Sequence, residues 1–232
     1  MTTDKTAIRH AATVLLARDG AAGPEVLMGQ RGAKAAFMPN KFVFPGGAVD
    51  PGDSQIPLAG LPADNCMKIL AEDGGPDLAH ALTAAAVRET WEETGLILGD
   101  AGTWPDPPAD WAGFAATGYR PSAAGLTYVF RAITPKGRPR RFDARFFMAR
   151  ADAIQGDADD FSRASDELSA LQWVPIARAR AFNLPFITEV VLAEVARLIH
   201  SGQPPATVPF FDNSTEESLF RQLGGHALPE PE

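Results

Sequence analysis

The chain has 232 residues, of which 45% are apolar and 22% charged, and these shares predict one globular domain over residues 1–232. A formal net charge of −8 without a long basic tract argues against a general nucleic-acid or membrane-surface binder. No apolar run is long enough to cross a bilayer, the polar start does not resemble a signal peptide, and the single cysteine favours a reducing cytoplasm.

The first part of the chain is predicted to be mostly strands. Apolar runs at residues 11–17 and 25–30 predict two strands that a glycine-rich turn joins into a hairpin, and residues 41–44 predict a third strand. Residues 54–75 are irregular apart from a short helix near 65–72. Residues 77–94 then predict an alanine-rich helix, with Gly95 where a left-handed C-terminal cap belongs.

The second part returns to strands and ends on a helix. Residues 100–125 predict a long surface excursion, and residues 127–133, 142–149 and 168–174 predict three more strands. A helical period of apolar residues marks 185–200, and the proline-containing tail after about 203 is expected to be loosely held. The order of strands and helices along the chain predicts an α/β (α+β) class fold in which helices flank a mixed β-sheet.

The helix at 77–94 carries a cluster of charges on one face. With Arg88 at zero on a helical wheel, Glu92, Glu89 and Glu93 fall at about 40°, 100° and 140°. Like charges this close repel one another, and hard divalent cations, which prefer oxygen ligands, would relieve that repulsion. The competing interpretation is a solvated acidic stripe in which Arg88 and Glu92 form an i,i+4 ion pair.

The residues around these charges favour the first interpretation, a site for divalent cations. Residues 88–96, R-E-T-W-E-E-T-G-L, resemble the second half of the Nudix motif, and residues 44–53, F-P-G-G-A-V-D-P-G-D, resemble the glycine-rich loop that opens it. Glycines in that loop would let backbone approach a diphosphate and a metal closely. The resemblance implies a Nudix-type α/β/α sandwich with a mixed sheet.

The chain departs from the family pattern in three ways, and two of these departures indicate which branch of the family it resembles. The gap between loop and helix is far longer than usual, which places an insertion at about residues 54–80. Asp50 and Asp53 stand where glutamates are usual, and Thr90 replaces an aliphatic residue. The first two departures resemble the insertion-bearing, coenzyme A diphosphatase-like branch (the nudix motif 19 type). We expect the insertion to loop out beside the site without entering the sheet.

The resemblance implies roles for named residues. Glu92 and Glu93 are expected to bind Mg²⁺ or Mn²⁺, Glu89 to be a ligand or a base, and Arg88 to orient the carboxylates. Further metal-site residues are Asp53, acting through water, and the Gly47 carbonyl. The loop before the last predicted strand carries Asp166 and Glu167, and Glu167 is the candidate catalytic carboxylate there, with loop solubility as the alternative.

A basic turn supplies candidate substrate-binding residues. The cations of this turn and the strand after it are Lys136, Arg138, Arg140, Arg141 and Arg145. They predict either a clamp for substrate phosphates, formed by Arg140, Arg141 and Arg145, or a charged edge that keeps the hairpin soluble. Arg31 is placed near the site by the resemblance.

The implied function is metal-dependent hydrolysis of a phosphoanhydride bond in a nucleoside diphosphate linked to another moiety. Coenzyme A or acyl-coenzyme A is the specific expectation, and sugar nucleotides, dinucleotides and modified nucleotides are the alternatives. A non-catalytic nucleotide sensor and an isomerase of the isopentenyl diphosphate type are the other classes. The expected partner is a small-molecule diphosphate, with no nucleic acid or membrane, and a homodimer is left open.

Overall fold

The computed structural model of the chain describes residues 7–33, 35 and 38–225. Two expectations extend outside these residues: the polar start falls partly on residues 1–6, and the tail includes residues 226–232. Within the described residues, no helix is long and apolar enough to cross a membrane.

Four α-helices and twelve strands are assigned within the described residues. The helices are α1 (Asp64–Ala71), α2 (Gly75–Thr94), α3 (Ala112–Ala115) and α4 (Phe186–Ser201). The strands are β1 (Ile8–Gly20), β2 (Gly23–Arg31), β3 (Phe42–Val43), β4 (Gly46–Ala48), β5 (Ile97–Ala101), β6 (Tyr119–Pro121), β7 (Thr127–Ile133), β8 (Arg141–Arg150), β9 (Ile154–Gln155), β10 (Leu168–Pro175), β11 (Val208–Asp212) and β12 (Leu219–Leu223). Every predicted strand and helix is present, most with ends shifted by a few residues.

The main sheet is mixed, as predicted. Within the described residues its order is β10-β2-β1-β8-β7-β11-β12, with β3 paired to β2 and β4 paired to β1. The β1–β8 and β11–β7 pairs are parallel, whereas β1–β2 and β7–β8 are antiparallel. A smaller sheet contains β5, β6 and β9.

The central strand β1 separates two hydrophobic cores because its successive side chains point to opposite faces. Val14 and Leu16 pack in the core that contains the residues of α2, while Leu15 and Ala17 pack in the core that contains those of α4. Helices therefore cover both faces of the sheet, which is the predicted sandwich. The β4 strand is held against Ala11–Thr13 of β1, and this pairing places the glycine loop beside α2.

The insertion is part of the core rather than a loop beside it. Residues 54–80 add no strand to the sheet, as predicted, but they form α1 and the first turn of α2. Ile56, Ile69 and Leu70 are buried in the α2-side core. The expectation that the insertion loops out is wrong because these apolar side chains gain free energy by burial.

Two other segments are more ordered than predicted. The excursion at 100–125 buries Trp111 and Phe114, whose rings pack against each other. The Phe114 ring also packs against Trp91 of α2. The expectation of a loose tail is wrong for the part that the structure describes, because β11 buries Val208 and Phe210 and joins β7 in the sheet. Both segments owe their order to apolar side chains whose partners are distant in the sequence.

Candidate active site at the end of helix α2

Helix α2, which carries Glu89, Glu92 and Glu93, is packed closely against the sheet. It runs for 20 residues, with Pro76 in the first turn and Gly95 as a left-handed cap at φ 74°. The consecutive alanines Ala84, Ala85 and Ala86 are fully buried, so the helix lies close against the sheet. Thr90, the unusual residue of the motif, is buried and satisfies its hydroxyl by donating to the Ala86 carbonyl at 2.8 Å.

The guanidinium group of Arg88 forms hydrogen bonds with three carboxylates. Arg88 donates to both Asp53 oxygens at 3.0 Å, to Glu89 Oε1 at 2.9 Å and to Glu92 Oε2 at 3.0 Å. Its remaining donor reaches the Ala48 carbonyl of the glycine loop at 2.9 Å. The expectation that Arg88 orients the carboxylates agrees with this geometry. We call Asp53, Arg88, Glu89, Glu92 and Glu93 the site cluster.

The backbone of the glycine loop lies against Glu93, which Arg88 does not contact, and against Glu89. The Gly46 N–H donates to Glu93 Oε2 at 2.7 Å. A Cβ atom added at Gly47 would overlap the Glu89 carboxylate, and one added at Gly46 would overlap the Ala12 carbonyl oxygen. The glycines are therefore needed for the close packing of the loop against β1 and α2. The Gly46 donor was not foreseen, because a backbone N–H leaves no signal in a residue pattern.

Burial and mutual repulsion make these carboxylates unusual. Burial, supported by the Glu92 and Glu167 charges, raises the pKa of Glu89 to about 7, although Arg88 opposes the shift. Burial and the Glu89 charge raise the pKa of Glu93 to about 8, against the Gly46 hydrogen bond. The pKa of the half-exposed Glu92 is also raised, mainly by burial. These carboxylates are short of positive charge, and the cluster favours a cation.

Arg31 and Glu167 both lie within electrostatic range of the site cluster. The Arg31 charge lowers the pKa of Glu93, and the Glu167 charge raises the pKa of both Glu89 and Glu93. The Arg31 Nε atom is buried and has no hydrogen-bond partner among the described residues. Glu167 is exposed at the start of β10, beside the β2 strand that carries Arg31. Both predicted residues are therefore near enough to influence the charge of the cluster.

The donor set fits a hard divalent cation better than any other metal. Its side-chain donors are all carboxylate oxygens, which Mg²⁺ and Mn²⁺ prefer over softer ligands. Among the described residues, no three His, Cys, Asp or Glu side chains already form a closed ligand set. The reason is visible in the contacts, since Arg88 and Gly46 hold Glu89, Glu92 and Glu93. A cation would compete with these donors for the same oxygens.

The basic turn divides into buried and exposed cations. Arg141 is 8% exposed and donates to the Thr134 and Asn213 carbonyls, and Arg145 is 1% exposed and paired with Asp143. Their burial and protein partners argue against direct contact with a substrate phosphate, so both are corrected to structural residues. Arg140 is exposed, and Lys136 pairs with Glu216 at 2.9 Å.

A second buried cluster of charges was missed by the sequence analysis. Asp143 accepts hydrogen bonds from Arg131 at 2.8 and 2.9 Å and lies 2.8 Å from Arg145 Nη1. Arg131 also pairs with Asp73 and stacks over the Phe210 ring at 4.2 Å. We call Arg131, Asp143 and Arg145 the sheet cluster. In the sequence, the sheet cluster was indicated only by the alternation of Asp143 and Arg145 along one predicted strand.

Two known proteins resemble this chain closely enough to bear on its family, although no protein-family model matches it. A Caenorhabditis elegans protein provisionally named nudix hydrolase 7 is 30% identical over 179 residues, covering 72% of this chain and 51% of its own length. This chain thus spans about half the length of that curated relative. The crystal structure of a NUDIX hydrolase from Alicyclobacillus acidocaldarius superposes with a TM-score of 0.63 at 30% identity, covering 83% of this chain and 92% of that one.

Proposed function

Because the chain belongs to the Nudix hydrolase family, we propose that it is a single-domain pyrophosphohydrolase. It would hydrolyse a phosphoanhydride bond in a nucleoside diphosphate linked to another moiety. The observation that carries the proposal is the charge of the site cluster, where Asp53, Glu89 and Glu92 pair with Arg88 and Glu93 lies within electrostatic range of Glu89.

The metal site follows from which oxygens are available. Glu89, Glu92 and Glu93, with the Gly47 carbonyl, would hold Mg²⁺ or Mn²⁺. Asp53 is 2% exposed and accepts hydrogen bonds from Nε and Nη2 of Arg88, so it would act on the metal through Arg88 or a water. When bound, the metal supplies Lewis-acid polarisation of the diphosphate and neutralises its negative charge.

The chain's own side chains would handle the proton and the substrate. Glu167, exposed and close to Glu89 and Glu93, is our candidate for the base that takes a proton from the attacking water. Glu89 is the alternative base. Arg31, whose Nε lacks a partner, would donate to a substrate phosphate oxygen near Glu93. Arg88 keeps the carboxylates in place throughout.

Coenzyme A or acyl-coenzyme A is the proposed substrate class, on the basis of the insertion and the aspartates of the loop. Its ribose 3′-phosphate needs a cation beyond the metal site, and the exposed Arg140 is the candidate. Sugar nucleotides, dinucleotides and modified nucleotides are the alternative substrates. A non-catalytic nucleotide sensor is the alternative function.

The deciding experiment is a panel of diphosphates incubated with Mg²⁺ and with Mn²⁺, with products resolved by mass spectrometry. Release of a nucleoside monophosphate or a 3′,5′-bisphosphate product would support the hydrolase proposal and identify the substrate class. Binding without any product, detected as a rise in Tm on addition of a nucleotide, would favour the sensor instead. An Arg88→Ala variant should give no turnover and serves as the inactive control.

A further inference from the structure

The C-terminal end of α2 is in contact with the loop that carries Glu167. Gly95 closes the helix in the left-handed region at φ 74°, with its N–H donating to the Trp91 carbonyl at 2.8 Å. The next free carbonyl of the helix, that of Glu92, accepts a hydrogen bond from the Ser165 N–H at 3.1 Å. The loop therefore satisfies a group that a helix end normally leaves to solvent.

The contact leaves no space for a side chain at Gly95. A Cβ atom there would lie 2.7 Å from Arg163 Cβ, 3.0 Å from the Arg163 carbonyl carbon and 3.1 Å from the Ala164 nitrogen. Two of these three atoms are backbone, so a rotamer change cannot remove the overlap. Any side chain at Gly95 would have to push the loop away from the helix.

Hydrogen bonds within the loop would pass such a displacement on to Glu167. Ser162 N–H donates to Asp160 Oδ1 and Ala164 N–H donates to the Phe161 carbonyl, both at 3.0 Å. On the other side of Glu167, Leu168 enters the sheet opposite Arg31. Glu167 is thus held between one attachment to α2 and one attachment to β2.

We propose that Gly95 is a positioning residue, whose missing side chain lets the loop dock on α2 and so holds Glu167 beside the site cluster. The inference rests on the proposed role of Glu167 in catalysis. It assigns two separate requirements to Gly95, a left-handed backbone and an open space for the Arg163–Ala164 backbone. Only the first of these is an ordinary property of a helix cap.

Gly202 provides a matched control within the same chain. It caps α4 in the left-handed region at φ 63°, with its N–H donating to the Leu198 carbonyl at 3.0 Å. No atom of the residues that the structure describes lies within 4 Å of a Cβ atom added there. Gly202→Ala therefore carries the backbone strain alone, whereas Gly95→Ala carries the strain and the displacement of the loop.

The experiment compares the two variants by thermal melting, by amide hydrogen exchange and by turnover. Gly202→Ala should lower Tm by about 2–8 °C, as expected for alanine in a left-handed cap, and Gly95→Ala should lower Tm by at least as much. Only Gly95→Ala should accelerate exchange at residues 162–168 and lower kcat by roughly 10–100-fold, because a small misplacement of a reacting group has effects of that size. Unchanged exchange at 162–168 in Gly95→Ala would overturn the inference.

A double-mutant cycle with Glu167→Gln separates the inference from the proposed function. If Gly95 acts through Glu167, Gly95→Ala should change kcat less than twofold in the Glu167→Gln background. An equal loss in both backgrounds would show that Gly95 is only a cap. Normal kcat in Glu167→Gln itself would remove Glu167 from catalysis and the inference with it, while an inactive Glu93→Gln enzyme would leave the hydrolase proposal standing.

A second variant approaches the same contact from the loop. Ser165→Pro deletes the N–H that donates to the Glu92 carbonyl and leaves Gly95 unchanged. If Gly95→Ala does not fold, Ser165→Pro tests the same inference in its place. A loss of kcat that disappears in the Glu167→Gln background would support the inference, and full activity of Ser165→Pro would overturn it.

Discussion

The site cluster and the sheet cluster are built from the same residue types but differ in their balance of charge. In the site cluster a single arginine, Arg88, contacts three carboxylates at 3.0 Å or less, and Glu93 lies beside them with a backbone donor. In the sheet cluster two arginines, Arg131 and Arg145, contact the single carboxylate of Asp143. One cluster has a surplus of negative charge and the other does not.

The balance decides the protonation behaviour of each cluster. Burial raises the pKa of Glu93 to about 8, because too little positive charge faces it. Burial alone would also raise the pKa of Asp143, but His10, Arg131 and Arg145 together bring it well below its usual range. A buried acid with enough partners holds the fold together, whereas a buried acid without them favours a cation from outside.

Glu93→Gln is expected to have the largest effect, because it removes a proposed metal ligand. We predict that kcat falls roughly 10²–10⁴-fold while the fold is kept. Mg²⁺ or Mn²⁺ should raise the Tm of the wild-type protein and should do so less in this variant. Steady-state turnover and thermal melts with and without metal test both statements. Near-normal turnover would show that Glu93 is not a metal ligand.

Asp143→Asn should have the opposite signature, with stability lost and chemistry kept. It leaves the buried Arg131 and Arg145 without their shared counter-charge, which costs about 3–5 kcal/mol of unfolding free energy. Urea unfolding measures the loss, and kcat below the melting temperature should stay within a few-fold of wild type. A loss under about 1 kcal/mol would mean that the sheet cluster is not the structural counterpart we infer.

The same carboxyl predicts a pH dependence of stability. Because the folded pKa of Asp143 is lowered, its contribution is present above the unfolded pKa of about 3.9 and is lost as pH falls toward the folded value. The difference in unfolding free energy between wild type and Asp143→Asn should therefore be constant from pH 7 to 5 and shrink below about pH 4. A difference that stays constant down to pH 3 would contradict the assigned shift.

These two clusters also show what the sequence could and could not predict. The site cluster was predictable because Arg88, Glu89, Glu92 and Glu93 lie on one helix, where a fixed period places them on one face. The sheet cluster joins Arg131 of one strand to Asp143 and Arg145 of another, and no local period links the two strands. Asp73 of the insertion pairs with Arg131 from still further away in the sequence. The insertion was misjudged for the same reason, since its apolar residues find their partners only in the folded core.

Replacing Arg140 should have the smallest effect and tests the substrate class. Arg140 is exposed, so its pairing with a 3′-phosphate is worth at most about 1 kcal/mol, or roughly fivefold in kcat/KM. We predict that wild type prefers coenzyme A over its 3′-dephosphorylated form and that Arg140→Ala reduces this preference without changing Tm. Lys136→Ala is the control, because Lys136 lies on the same turn but pairs with Glu216. Equal kcat/KM for both compounds in wild type would leave a Nudix hydrolase but make sugar nucleotides the better substrate class. An equal loss of preference in both variants would show that the turn acts only through its general charge.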